Sequence, residues 1–216
     1  MPRKPSTPQA RPAEVVREYG PFDGVEHARG VTFDGTSVWV AAGERLQSFD
    51  PKNGQAGRSV AVTASAGTAF DGRHLFQLAG DRIQKIDPDT GHVLSTIPAP
   101  GGGRDSGLTW AEGTLWVGEY RDGKIHQIDP RTGAILRTLE STPFVTGVTW
   151  VDAELWHGRW EGDASEVRRI DPASGDVLER LVMPDGMMVS GLEWGGADVF
   201  FCGGGLSGKI RAVRRR

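Results

Sequence analysis

Ile128-Asp129-Pro130-Arg131-Thr132-Gly133 is one of four versions of a single phrase in this chain: an apolar residue, then Asp-Pro, then a Gly shortly after. The others begin at Phe49-Asp50-Pro51, Ile86-Asp87-Pro88 and Ile170-Asp171-Pro172, and the four Asp residues stand 37, 42 and 42 positions apart. Spacing close to about 40 to 50 residues marks a propeller blade rather than a helical solenoid. Each phrase belongs to a longer unit that opens with Gly and an apolar or aromatic stretch. The openings are Gly30-Val31-Thr32-Phe33, Gly67-Thr68-Ala69-Phe70, Gly107-Leu108-Thr109-Trp110, Gly147-Val148-Thr149-Trp150 and Gly191-Leu192-Glu193-Trp194, which makes five copies.

Within a unit, short runs of Val, Ile, Trp and Phe alternate with turn residues, the pattern of an antiparallel meander. The third unit reads as strands over Ser106–Trp110, Thr114–Gly118, Lys124–Ile128 and Ala134–Leu139. Asp-Pro followed by Thr-Gly fixes φ at the Pro and supplies Gly where the chain reverses. Such a unit cannot bury its apolar side alone, so its copies must pack around an axis. Pro and Gly recur too often for a helical reading. The sequence therefore predicts an all-β fold, a five-bladed β-propeller of four-stranded antiparallel blades. The fifth unit lacks a fourth strand, and Ala13 to Tyr19 resembles Gly175 to Leu181, the fourth strand of the preceding unit. Closure of the last blade by this N-terminal strand is expected, and it would cover two open edges. The domain is expected to span residues 13–216, preceded by a Pro-rich, disordered tail over residues 1–12.

Hydrophobic residues make up 38% of the 216, and the 31 Gly suit a sheet protein with many tight turns. A net charge of -3 gives no reason to expect nucleic acid as a partner. No apolar run reaches the roughly 18 residues of a membrane span, and no secretory signal is evident, so a cytoplasmic protein without a membrane partner is expected. The one cysteine, Cys202, suits a reducing compartment. It falls in a column of small residues and reads as a buried thiol. A monomer is expected, with a small molecule or peptide as its ligand.

Propeller sites gather at one mouth of the central channel, where first strands start and second strands end. A repeat needs only its apolar and turn positions to fold, so polar residues confined to one unit at the mouth call for another explanation. That set is His27, Arg29, Asp105, Glu119, Tyr120, His157, Arg159 and Trp160. Glu119 and Arg159 share a column in adjacent blades and read either as an ion pair or as functional groups. Asp105 follows the flexible Gly101-Gly102-Gly103. His74 and His92 fall at turns and His126 in a column of surface strand residues, which leaves His27 and His157 as mouth histidines fit for acid–base chemistry. Trp160 alone among the tryptophans breaks the repeat and suits the wall of a pocket. No cofactor motif is present, and no residues are assigned to a metal, although two histidines and nearby carboxylates are compatible with Mg²⁺ or Ca²⁺.

Leu115-Trp116-Val117-Gly118-Glu119-Tyr120, followed by Gly123 to Gly133, resembles the plant-type glutaminyl cyclases (glutamine cyclotransferases), as does Ser190-Gly191-Leu192-Glu193-Trp194. The resemblance spans most of the chain and implies a five-bladed propeller that cyclises an N-terminal glutamine with loss of ammonia. It implies Glu119 as proton shuttle, with Asp105 as second choice. His157, the third catalytic candidate, would with Tyr120 and Arg159 orient the substrate and Trp160 would pack against it; His27 and Arg29, by their position at the mouth, complete the substrate-binding set. The chain departs from the family where Phe-Thr-Gln-Gly-Leu is expected: Ala28-Arg29-Gly30-Val31 and Val145-Thr146-Gly147-Val148 stand instead. The Ile-Asp-Pro turn is also similar to that of streptogramin lyases, which implies a metal-assisted lyase as an alternative. A non-catalytic propeller binding a ligand or peptide at the same mouth is the third reading.

Overall fold

The computed structural model describes residues 8–216. Among these there is no helix; the chain forms 21 strands in five sheets. Two strands come first, β1 (Gln9–Pro12) and β2 (Val15–Tyr19). Blade one is β3 (Gly30–Phe33), β4 (Val38–Ala41), β5 (Gly43–Phe49) and β6 (Ala56–Ala64). Blade two is β7 (Thr68–Phe70), β8 (Leu75–Ala79), β9 (Arg82–Ile86) and β10 (Val93–Pro98). Blade three is β11 (Asp105–Ala111), β12 (Thr114–Glu119), β13 (Lys124–Ile128) and β14 (Ile135–Glu140). Blade four is β15 (Val145–Val151), β16 (Glu154–Glu161), β17 (Ala164–Ile170) and β18 (Val177–Val182). Blade five is β19 (Gly191–Trp194), β20 (Val199–Gly203) and β21 (Ile210–Arg214), completed by β2. The innermost strands β3, β7, β11, β15 and β19 pack against one another in that order, and β19 meets β3. The ring is a five-bladed β-propeller.

The repeated phrase builds the same turn each time. Asp129 Oδ1 accepts the amides of Arg131 and Thr132 at 2.8 and 3.1 Å, and the Asp129 carbonyl accepts the amide of Gly133 at 2.9 Å. Gly133 has φ of 75°, where a side chain is disfavoured. Asp87 and Asp171 cap their turns in the same way. The Gly that opens each unit has a different purpose. A Cβ on Gly147 would lie 2.0 Å from the Leu192 amide nitrogen of the next blade, and one on Gly107 would lie 2.3 Å from the Thr146 carbonyl oxygen. At Gly30, Gly67 and Gly191 the corresponding distances to the neighbouring blade are 2.3, 2.5 and 2.9 Å. Glycine here allows five inner strands to crowd around a narrow axis.

Farther out, the two aromatic columns interlock between blades. Phe76 stacks on Trp110 at 5.5 Å and Trp116 on Trp150 at 5.4 Å, each pair joining the second strand of one blade to the first strand of the next. Cys202 is fully buried, and desolvation pushes its thiol up to about 12.

β2 pairs antiparallel with β21, with Tyr19 opposite Ile210, so the N-terminal strand closes blade five as expected. The tail is shorter than the sequence predicts. Residues 9–12 form β1, a parallel fifth strand on the outer edge of blade four, while the expectation for residues 1–7 lies outside the described residues. Arg11 holds the segment, its Nε donating to Glu179 Oε1 at 3.0 Å. Pro12 is accommodated because an edge strand leaves one side unpaired.

Candidate functional site

At the end of the channel where the first strands begin, a cavity of about 320 Å³ draws residues from all five blades. That volume suits a small ligand or the end of a larger one. Blade one contributes His27, Ala28 and Arg29, and blade two Ser65 and Ala66. Blade three gives Asp105, Ser106 and Tyr120, blade four Thr146 and Trp160, and blade five Ser190, Gly205 and Leu206. The hydroxyl residues stand just before the Gly columns and mostly tie blades together: Ser106 Oγ donates to the Val145 carbonyl at 2.7 Å, and Ser190 Oγ donates to the Ala28 carbonyl. Thr146 Oγ1 is buried against Gly158 of its own blade without a hydrogen-bond partner.

Asp105 is the one carboxylate among the lining residues, and it is 8% exposed. Burial raises its proton affinity above the ordinary carboxylate range. The amides of Gly101 and Gly103, at 2.9 and 3.4 Å, work against that rise, and the charge of Glu119 adds to it. The Gly101–Gly103 segment thus folds onto Asp105 as a backbone cradle. On the opposite side, His27 is half-buried and Arg29 exposed, and neither lies within salt-bridge distance of a carboxylate among the described residues. Tyr120 packs its ring against Phe144 at 5.4 Å, and its hydroxyl donates to the Trp160 carbonyl at 3.0 Å. The hydroxyl oxygen keeps its lone pairs for a ligand's donor. Phe144 itself has φ of 71°, an outlier for an aromatic residue, at the point where its amide meets the Tyr120 carbonyl.

Five of the eight sequence-derived candidates therefore converge: His27, Arg29, Asp105, Tyr120 and Trp160. Three do not reach the cavity. Glu119 lies beneath the Gly101 segment and is 3% exposed, with Oε2 at 3.4 Å from His126 Nε2 and Oε1 at 3.5 Å from Arg104. His157 is wholly buried, its Nδ1 2.8 Å from the Gly158 carbonyl, and desolvation drives it down to about 4. A neutral, enclosed imidazole of that kind packs rather than exchanges protons with a ligand. Arg159 pairs with Glu161 in its own strand and lies over the Phe144 ring, so the ion pair with Glu119 does not form. His126 is not a surface residue either: it is 6% exposed. For His157 and Arg159 strand alternation accounts for the difference, because successive residues of a strand face opposite sides of the blade and Trp160 takes the cavity side; Glu119 is instead covered by the Gly101 segment. The serines, Thr146, Gly205 and Leu206 were not marked by residue chemistry; their only sequence signal is position beside the recurring Gly or at a blade-five turn. Among the described residues no three His, Cys, Asp or Glu side chains converge on a metal position.

Fold and mouth together define a propeller with a largely apolar cavity at one end of its channel, walled by Tyr120 and Trp160 and carrying a few polar groups. The structure is similar to the crystal structure of Myxococcus xanthus glutaminyl cyclase, with a TM-score of 0.78 and 18% identity over 96% of this chain and 98% of that one. Similarity is lower to Kuenenia stuttgartiensis hydrazine synthase, at TM-score 0.53 and 18% identity over 82% of this chain and 55% of that one. Virginiamycin B lyase from Staphylococcus aureus gives 0.52 and 16% over 86% and 65%. At such identities the likeness is one of fold. No protein-family model matches the chain, and no curated protein matches it.

Proposed function

We propose that the protein is a glutaminyl-peptide cyclotransferase-like enzyme, closing an N-terminal glutamine into 5-oxoproline with release of ammonia in the mouth cavity. The amine nitrogen attacks the side-chain amide carbon, a C–N bond forms, and the bond to the leaving amide nitrogen breaks. One proton must travel from the attacking to the leaving nitrogen. The observation that carries this reading is Asp105, the cavity's one carboxylate, desolvated and held in a cradle of backbone amides. A carboxyl group whose proton affinity is raised above the ordinary carboxylate range is suited to take and return a proton. Asp105 replaces Glu119 as proton shuttle because Asp105, and not Glu119, is among the residues that line the cavity. Trp160 and Tyr120 would pack along the substrate's methylenes, and Arg29 would bind a carbonyl oxygen. Likeness to the Myxococcus xanthus enzyme over nearly the full length of both chains supports the same choice of chemistry.

The test is ammonia release from peptides bearing N-terminal glutamine, with and without Mg²⁺, by the protein and by Asp105→Asn. Release by the unaltered protein that falls at least about 100-fold in the variant is expected. Equal release by both, or none by either, would overturn the assignment and leave a ligand-binding propeller.

A further inference from the structure

Asp105 does not stand alone in blade three. A Cβ on Gly101 would lie 2.8 Å from Asp105 Oδ1 and 2.5 Å from Glu119 Oε1, so both carboxyl groups border the same glycine. Asp105 and Glu119 are also register partners in β11 and β12. The second oxygen of Glu119 faces His126 Nε2 at 3.4 Å, and His126 Nδ1 lies 2.9 Å from Thr138 Oγ1. Thr138 stands on β14, the outermost strand, and is exposed. One polar group from each strand of the blade thus forms a file from the cavity to the outer surface. Nothing in the repeat requires it: blade two has Ser65, Ala79, Gln84 and Thr96 at the corresponding places. Glu119 and His126 are each less than a tenth exposed, and burying two ionisable groups side by side is costly without a purpose or a partner.

We propose that Glu119 and His126 form a proton relay connecting Asp105 at the cavity wall with solvent at the outer edge of blade three. The proposal builds on the reading of Asp105 as the proton-transfer group. An N-terminal amine arrives largely as ammonium at neutral pH, since its ordinary pKa is about 7.7 to 8.0. It must lose a proton before it can attack, and a substrate seated in the mouth blocks the direct way out. That proton passes from the ammonium nitrogen to Asp105, from Asp105 to the Glu119 carboxyl that borders the same glycine, and on to His126 Nε2. The imidazolium then gives up its Nδ1 proton to water beside Thr138, exchange with solvent returns the ring to the Nδ1–H tautomer, and both carboxyl groups regain their starting charge. Arg104 reaches Glu119 at 3.5 Å and Asp122 at 3.3 Å from the exposed side, and Lys124 is the register partner of Glu119; these charges face the relay as well.

The test is NMR of the full-length protein with labelled histidine, following the His126 imidazole against pH, with His126→Gln to assign the signal. A relay predicts a two-step titration of His126, one step tracking Asp105. That step should vanish in Asp105→Asn, and His126 should lose its response to Asp105 in Glu119→Gln. A single-step curve unchanged by Asp105→Asn overturns the proposal, and this arm decides alone if Glu119→Gln fails to fold. On peptides with N-terminal glutamine, His126→Gln should lower kcat at least about tenfold with little change in KM, and added imidazole should restore it. A loss that imidazole does not restore assigns His126 to packing and overturns the relay. Titration coupling without cyclisation keeps the relay and removes the cyclase reading.

Discussion

Glu193 accepts hydrogen bonds from Thr32 of blade one at 2.8 Å and Thr149 of blade four at 2.6 Å, so one carboxyl from blade five joins three blades. Desolvation raises its pKa from 4.5 to about 7 against the pull of those bonds. A raised carboxyl contributes stability that is complete below pH 4.5 and is lost as pH rises through 7. His157 has the opposite slope: lowered from 6.5 to about 4, it favours the fold above pH 6.5 and costs stability as pH falls toward 4. Each shift corresponds to about 3 kcal/mol, so the two largely cancel between pH 4.5 and 6.5. Glu193→Gln should therefore raise Tm at pH 8, change it little at pH 4.5, and expose the acid-side loss due to His157; thermal unfolding across pH checks this. Neither role could be read from the sequence. Glu193 was legible only as part of a strand opening, and His157 was placed at the mouth because alignment gives height along the axis and not the side a residue faces. Glu119 lies covered by the Gly101 segment and Arg159 is drawn to Glu161, contacts that depend on neighbours outside their own column, whereas Tyr120 and Trp160, each one residue further along, line the cavity.

At the scale of the strand and turn, sequence and structure agree closely, because the chemistry there is local. Asp-Pro-x-x-Gly states its own geometry: the carboxylate caps two amides and the Gly takes a positive φ. The β13 bounds match those read from the sequence, and those of β11, β12 and β14 differ by one residue at one or both ends. The unit-opening glycines were legible as a repeat but not as a packing device, since the atoms they spare belong to the next blade. Gly147→Ala is accordingly expected to destabilise by about 3 kcal/mol or more through overpacking against Leu192. Gly113→Ala should cost only about 1 to 2 kcal/mol, because its Cβ would meet nothing within 4 Å and only φ of 76° is strained. Urea denaturation of the two variants separates close approach from backbone preference.

Over the whole molecule, the first strands bind the last. β1 lies on blade four and β2 completes blade five, and Glu14 meets Arg214 across a separation of 200 residues. Removing residues 1–12 deletes β1 with its Arg11–Glu179 bond, and should lower stability by about 1 to 3 kcal/mol while leaving a cooperative fold. Removing residues through Tyr19 should open the edge of β21 and produce aggregates on size-exclusion chromatography. Closure has a further consequence for how the protein comes into being. On the ribosome, β2 is made long before β21, and must wait unpaired while four blades are synthesised behind it. Contacts so distant in sequence form slowly, so the ring should snap shut only after β21 has left the exit tunnel, and the waiting edge is the part of the nascent chain most in need of a chaperone.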